Sequence, residues 1–143
     1  MKFLLYSINY SPELTGIGKY NGELAAALVA RNIEPHVVTA QPYYPEWQVH
    51  KGFKNSWATT HEKNGVTVYR CPLYVPKKVT TIKRLIHLSS FAFSSVLRIV
   101  TLLRLKPDVV FLVQPTLFCA PATLLYCKLT GAKSVMHIQD FEI

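Results

Sequence analysis

The stretch that decides the fold is KFLLYSINYSPELTGIGKYNGELAAALVARNIEPHVVTA, Lys2 to Ala40. Lys2–Ile8 is a short apolar run ahead of a turn-rich loop, the pattern of a parallel strand buried on both faces. Tyr20, Leu24 and Leu28 then recur four apart, with Ala25 and Val29 beside them, so one face of a helix packs on a sheet. Glu34–Ala40 reads as a second strand. Strand, helix and strand within about forty residues make a βαβ unit with a right-handed crossover.

The pattern repeats downstream with one interruption. QPYYPEWQVHKGFKNSW (Gln41–Trp57) is crowded with aromatics and prolines and is too long for a plain connection. It either binds something or packs over a sheet edge. Two strand runs surround Asn64-Gly65, a hairpin turn signal, and PLYVPKK (Pro72–Lys78) is an extended linker. Thr80–Leu105 is the most apolar helix, with Arg84, His87, Ser90, Ser94, Arg98, Thr101 and Arg104 forming a narrow polar stripe. Polar interruptions exclude a spanning helix, which needs about 20 apolar residues. It is either a core helix covered on most sides or an interfacial helix lying on a bilayer. Lys106–Pro115 gives a further strand. The next helix has Pro121 near its first turn and Gly131 as its stop, and a strand begins at Lys133. The whole predicts α/β architecture: one Rossmann-like domain over residues 1–143 with a doubly wound, mostly parallel sheet.

The formal net charge of +8 invites anionic partners, and its distribution is uneven. No acid lies between Glu62 and Asp108, an interval holding Lys63, Arg70, Lys77, Lys78, Lys83, Arg84, Arg98, Arg104 and Lys106. These cations cluster with an apolar helix and not with a stacking platform or recognition helix, which disfavours nucleic acid. Cys71, Cys119 and Cys127 are widely spaced and form no C-x-x-C pair. That disfavours zinc and a disulfide framework and suits reduced thiols in the cytoplasm. MKFLLYSINY lacks a small-residue cleavage site and reads as a strand, not a signal peptide.

The glycine loop admits several phosphate chemistries. A Walker loop fails because its first glycine position is Glu13 and its hydroxyl position is Tyr20. A dinucleotide fingerprint is weak because Asn21 stands third and Gly22 falls one place late. A diphosphate close to bare main-chain N–H groups at a helix start remains open, as does a simple tight turn.

NYSPELTGIGKYNGELA, VTAQPYYPEW, YRCPLYVP, KPDVVFLVQPTLFCAPA and HIQDFE follow one another as they do in family 4 glycosyltransferases of the colanic-acid type, which nearly the whole chain resembles. The resemblance implies a GT-B architecture, two Rossmann-like domains with the active site between them. This chain corresponds to the N-terminal, acceptor-side half, and the C-terminal donor domain is expected to be absent. The implied activity is transfer of a sugar, fucose being one option, from a nucleotide-diphosphate sugar to a lipid-linked saccharide acceptor in exopolysaccharide biosynthesis. Retention at the anomeric carbon is implied. No metal and no tightly bound cofactor are expected, and the chain alone is expected to be inactive.

By the same resemblance Gly16, Gly18 and Lys19 are donor-phosphate residues, although Lys19 could simply point to solvent. Asp140 and Glu142 are the catalytic candidates at a strand's carboxyl edge, where Asp140 could equally cap a following helix. Glu13, Tyr43, Tyr44, Trp47 and His137 are acceptor-site candidates, since sugars stack on aromatic faces; loop packing also accounts for the aromatics, and His137 could pack inside its strand. Residues 80–106 could bring the domain to the inner face of an anionic membrane. Two other readings stay open: a non-catalytic membrane-docking subunit of a split glycosyltransferase, and a small nucleotide-binding Rossmann domain.

Overall fold

β1 (Lys2–Tyr6), α1 (Gly16–Val29) and β2 (Glu34–Ala40) form the expected unit, the strands running parallel with Leu4 opposite His36 and Tyr6 opposite Val38. The computed structural model describes residues 1–62, 64–115 and 117–139. β3 (Ala58–His61) and β4 (Thr67–Cys71) are antiparallel neighbours, and Gly65 takes a left-handed φ of +92° in the turn between them. α2 (Thr81–Thr101), β5 (Val109–Val113), a 3-10 turn (Leu117–Cys119), α3 (Ala120–Thr130) and β6 (Lys133–His137) complete the chain order. Pro121 lies in the first turn of α3, and Gly131 ends it at a left-handed φ of +79°. There the Gly131 N–H donates to the Cys127 carbonyl at 2.9 Å.

The six-stranded sheet has the order β3-β4-β2-β1-β5-β6, and every pairing but β3–β4 is parallel. From β1 the chain builds outward first through β2 and then, after α2, through β5 on the other side. The order therefore reverses between β1 and β5, where a doubly wound sheet opens a crevice at its strands' carboxyl ends. Strand alternation divides the core into two layers. Leu4, Tyr6, Val38 and Leu112 pack with Phe91 and Ile99 of α2 and Tyr126 of α3. Phe3, Leu5, Val37 and Val113 pack with Ala25 and Leu28 of α1. β6 is the sheet's outer strand, and its residues are exposed along their length.

α2 corrects one of the two sequence readings: it is not covered on most sides. Several of its polar residues turn inward. His87, Ser94 and Ser95 are buried, and both serines are satisfied by neighbours. Ser94 donates to the Pro72 carbonyl at 2.6 Å, Ser95 Oγ meets the Tyr6 hydroxyl at 2.5 Å, and Ser90 Oγ accepts the Tyr74 N–H at 2.8 Å. Hydroxyls that find backbone partners can enter a core with little penalty. The opposite face is apolar and faces solvent. Ile82 and Phe93 are each 72% exposed, and Leu85, Ile86, Leu97 and Val100 are about half exposed on the same stripe. Among the described residues no helix is long and apolar enough to cross a membrane.

Candidate functional site

The turn after β1 is built around a buried carboxylate. Glu13 is 2% exposed, and its Oε1 accepts the Tyr43 and Tyr44 N–H groups at 3.0 and 3.1 Å. Its Oε2 accepts Asn9 Nδ2 at 2.9 Å. One acid thus ties the β1 loop to the aromatic loop that follows β2. Asn21 of α1 performs a similar service, donating to Ser7 Oγ and the Asn9 carbonyl at 2.9 Å each. Burial raises the Glu13 pKa, and the three N–H donors pull it only partly back.

The sign of that shift gives a pH test. Because the folded pKa lies above the ordinary value of 4.5, the folded state holds this proton more tightly than the unfolded chain. The stability contributed by the protonated form is fully present below 4.5 and declines as pH rises through the raised folded value. Urea unfolding of Glu13→Gln across this window should lose that component of the pH dependence. A wild-type and a variant curve of the same shape would contradict it.

The two glycines of the loop part company. Gly16 has a φ of +58°, and a Cβ built on it would meet only the edge of the Tyr44 ring at 4.0 Å. Gly18 is buried; a Cβ there would lie 2.7 Å from both Cβ and Oε2 of Glu13 and 3.3 Å from the Tyr10 carbonyl. Its bareness makes room for the carboxylate. The N-cap residue Thr15 makes no side-chain capping bond, so the first N–H groups of α1 have no cap side chain bonded to them.

Beside Gly16 opens a cavity of about 450 Å³ at the carboxyl ends of the strands. Asn9 arrives from the β1 loop, Tyr20 and Ile17 from α1, and Tyr43, Tyr44 and Trp47 from the loop after β2. Arg84, His87 and Leu88 come from the start of α2, Pro115 follows β5, and Gln139 follows β6. Trp47 holds a left-handed φ of 52°, uncommon for so bulky a residue. The Tyr43 and Trp47 rings lie 4.7 and 5.1 Å from the His87 ring.

His87 is 1% exposed, and its Nδ1 stands 2.5 Å from the Tyr74 carbonyl. A carbonyl only accepts, so Nδ1 carries the proton and the neutral ring leaves Nε2 as an acceptor. Burial, aided by the nearby Arg84 cation, keeps its pKa below the ordinary histidine value, against the opposing pull of the Tyr74 carbonyl.

Of the residues singled out from sequence, Gly16, Tyr43, Tyr44 and Trp47 share the cavity wall. Glu13 and Gly18 lie behind it as its support. Lys19 is exposed and reaches Glu23 one turn away at 3.9 Å. His137 stands on the exposed β6, its ring edge against Phe111 at 5.4 Å, and does not line the cavity. Asp140 and Glu142 lie outside the described residues. Sequence reasoning missed the placing of Arg84, His87 and Gln139 in the wall. The i,i+3 spacing of Arg84 and His87 on one polar stripe was the available signal.

Among the described residues no group of three or more His, Cys, Asp or Glu could hold a metal ion. Cys71, Cys119 and Cys127 are free and buried, and burial pushes the Cys71 and Cys119 thiols up to about 12 and 11.

Residues 15–142 match the family described as "Glycosyl transferase 4-like domain". The chain belongs to this family. It is also 54% identical over 143 residues to the Escherichia coli (strain K12) protein titled "Putative colanic acid biosynthesis glycosyl transferase WcaI". That similarity covers all of this chain and 35% of the relative, so the chain spans about a third of the relative's length. The Rossmann-like sheet of this glycosyl transferase 4-like domain is the fold that its sequence motifs implied.

Proposed function

We propose that this glycosyl transferase 4-like domain is the N-terminal, acceptor-side half of a retaining GT-B enzyme that transfers a sugar from a nucleotide-diphosphate sugar to a lipid-linked saccharide, in assembly of a colanic-acid-like exopolysaccharide. The observation that carries the reading is the convergence of Gly16, an aromatic wall and Arg84 on one cavity at the strands' carboxyl ends. The likeness to the colanic-acid glycosyl transferase supports the pathway class, and fucose is the donor sugar proposed.

The chemistry asks for two things. A leaving diphosphate must be stabilised, and the uncapped start of α1 at Gly16 offers main-chain N–H groups and a favourable helix dipole, with no metal needed. An acceptor sugar must be held in position, and Tyr44 and Trp47 offer ring faces for it, with the buried Tyr43 ring behind them. Asp140 and Glu142 are the proposed groups for polarising the acceptor hydroxyl. The outward apolar stripe of α2, with Lys83 and Arg84 at its start and Arg104 and Lys106 beyond its end, supports peripheral docking on an anionic membrane that carries the lipid-linked acceptor. The same stripe would serve a docking subunit of a split enzyme; transfer activity of a polypeptide joining this chain to a donor-side domain separates the two.

Titration of the ¹⁵N-labelled chain with GDP-fucose tests the donor side. The Gly16 and Ile17 amide resonances should move in a saturable way, and addition of Mg²⁺ should leave the affinity unchanged. Amide shifts confined to other elements would remove Gly16 from the donor site.

A further inference from the structure

We propose that His87 is a specificity residue of the saccharide site, its Nε2 accepting a hydrogen bond from a pyranose hydroxyl held against Tyr43, Tyr44 and Trp47. This rests on the reading of the cavity as the acceptor site.

The tautomer is fixed from behind, because the Tyr74 carbonyl at 2.5 Å takes the Nδ1 proton. Nε2 is then a lone-pair acceptor, and among the described residues it has no hydrogen-bond partner although it is buried. A buried acceptor of this kind is a standing penalty unless something donates to it. The ring forms part of the cavity wall, with Tyr43 and Trp47 packed on it at 4.7 and 5.1 Å. These rings hold the imidazole plane in place, so a ligand meets it in one orientation.

The chemistry of the missing donor follows. A sugar hydroxyl donates and fits; a fully ionised phosphate oxygen only accepts and would face the lone pair unfavourably. Burial beside Arg84 favours the neutral ring, which keeps Nε2 in its accepting form. His87 therefore reads the saccharide end of the acceptor and not its phosphate linkage. A site that spends a buried acceptor on one hydroxyl also rejects an analogue lacking that hydroxyl.

The test is a titration of the 143-residue chain, carrying ¹⁵N-labelled histidine, with methyl α-D-glucopyranoside, methyl α-D-galactopyranoside and methyl α-L-fucopyranoside. At least one glycoside should shift the His87 Nε2 resonance and, with Trp57→Phe leaving Trp47 as the sole tryptophan, change Trp47 fluorescence with the same saturation curve. His87→Phe should bind that glycoside about tenfold more weakly or worse, and inorganic phosphate should leave Nε2 in place. Saturable Trp47 fluorescence with an unmoved Nε2 and unchanged affinity in His87→Phe overturns the role of His87 and leaves the acceptor reading standing. No response at Trp47 or His87 to any glycoside removes both. A phosphate-induced shift equal to the sugar's also overturns the assignment. Should His87→Phe fail to fold, the wild-type Nε2 resonance decides alone.

Discussion

Binding to anionic vesicles is expected to fall about a hundredfold or more when Phe93 and Leu97 are both changed to glutamate, because each site loses about 2 kcal/mol of apolar burial and gains repulsion. The two residues are 72% and 47% exposed and lie near the middle of the outward stripe of α2. A helix of 21 residues is about 30 Å long, so a continuous stripe can engage a bilayer interface along its length. The substitutions leave Phe91 and Ile99 untouched in the core, so the melting temperature should move by only a few degrees. Flotation with vesicles of anionic and of neutral lipid reads the effect. Changing Leu124 and Leu125 of α3, which are also exposed, provides the comparison. Equal loss from both pairs of changes would indicate general stickiness, and no preference for anionic over neutral vesicles would count against membrane docking.

The second large effect should be thermodynamic. Gly18→Ala is expected to destabilise the domain by about 3 kcal/mol, which lowers the melting temperature by roughly 10 °C for a chain of this size. Alanine is the better helix former by up to about 1 kcal/mol, so a simple helix position would gain from the change. Here the new methyl would stand 2.7 Å from the Glu13 side chain and 3.3 Å from the Tyr10 carbonyl. Glu13 cannot withdraw without releasing the N–H groups of Tyr43 and Tyr44 and the Asn9 amide. Gly16→Ala meets no such wall and carries only the penalty of a left-handed backbone, about 1–2 kcal/mol. Urea unfolding should therefore separate the two, with Gly18→Ala the more damaging and Gly16→Ala the one that alters nucleotide-sugar binding. Equal stabilities for the two variants would contradict the packing role of Gly18.

The parts of this fold that were legible from sequence are those set by local periodicity and turn chemistry. The apolar runs at Lys2 and Glu34 are β1 and β2, Asn64-Gly65 does join β3 and β4, and Pro121 and Gly131 bracket α3. The orientation of α2 was not legible. A helical wheel reveals two faces but not which one meets the protein, and serines and a histidine can lie inward when carbonyls such as those of Pro72 and Tyr74 receive them. Glycine was ambiguous for a similar reason: the same bare residue can supply a left-handed turn at a helix start, as at Gly16, or make room for a carboxylate inside, as at Gly18. Tyr43, Tyr44 and Trp47, singled out from the aromatic loop, do line the cavity, since that proline-rich loop follows a strand's carboxyl end. The place of His87 in the cavity wall was not legible because its neighbours come from β2's loop and the Pro72–Tyr74 segment, distant in sequence.

The inward hydroxyls of α2 have a consequence for how such a domain can diversify. Leu88, Phe91 and Ile99, with Ser94, Ser95 and His87, anchor the helix from its inner side, and the exposed apolar residues such as Ile82, Phe93 and Leu97 lie outside that core. Substitutions on that outer side therefore change the surface the domain presents, while the buried side of the helix and the crevice it shapes stay as they are.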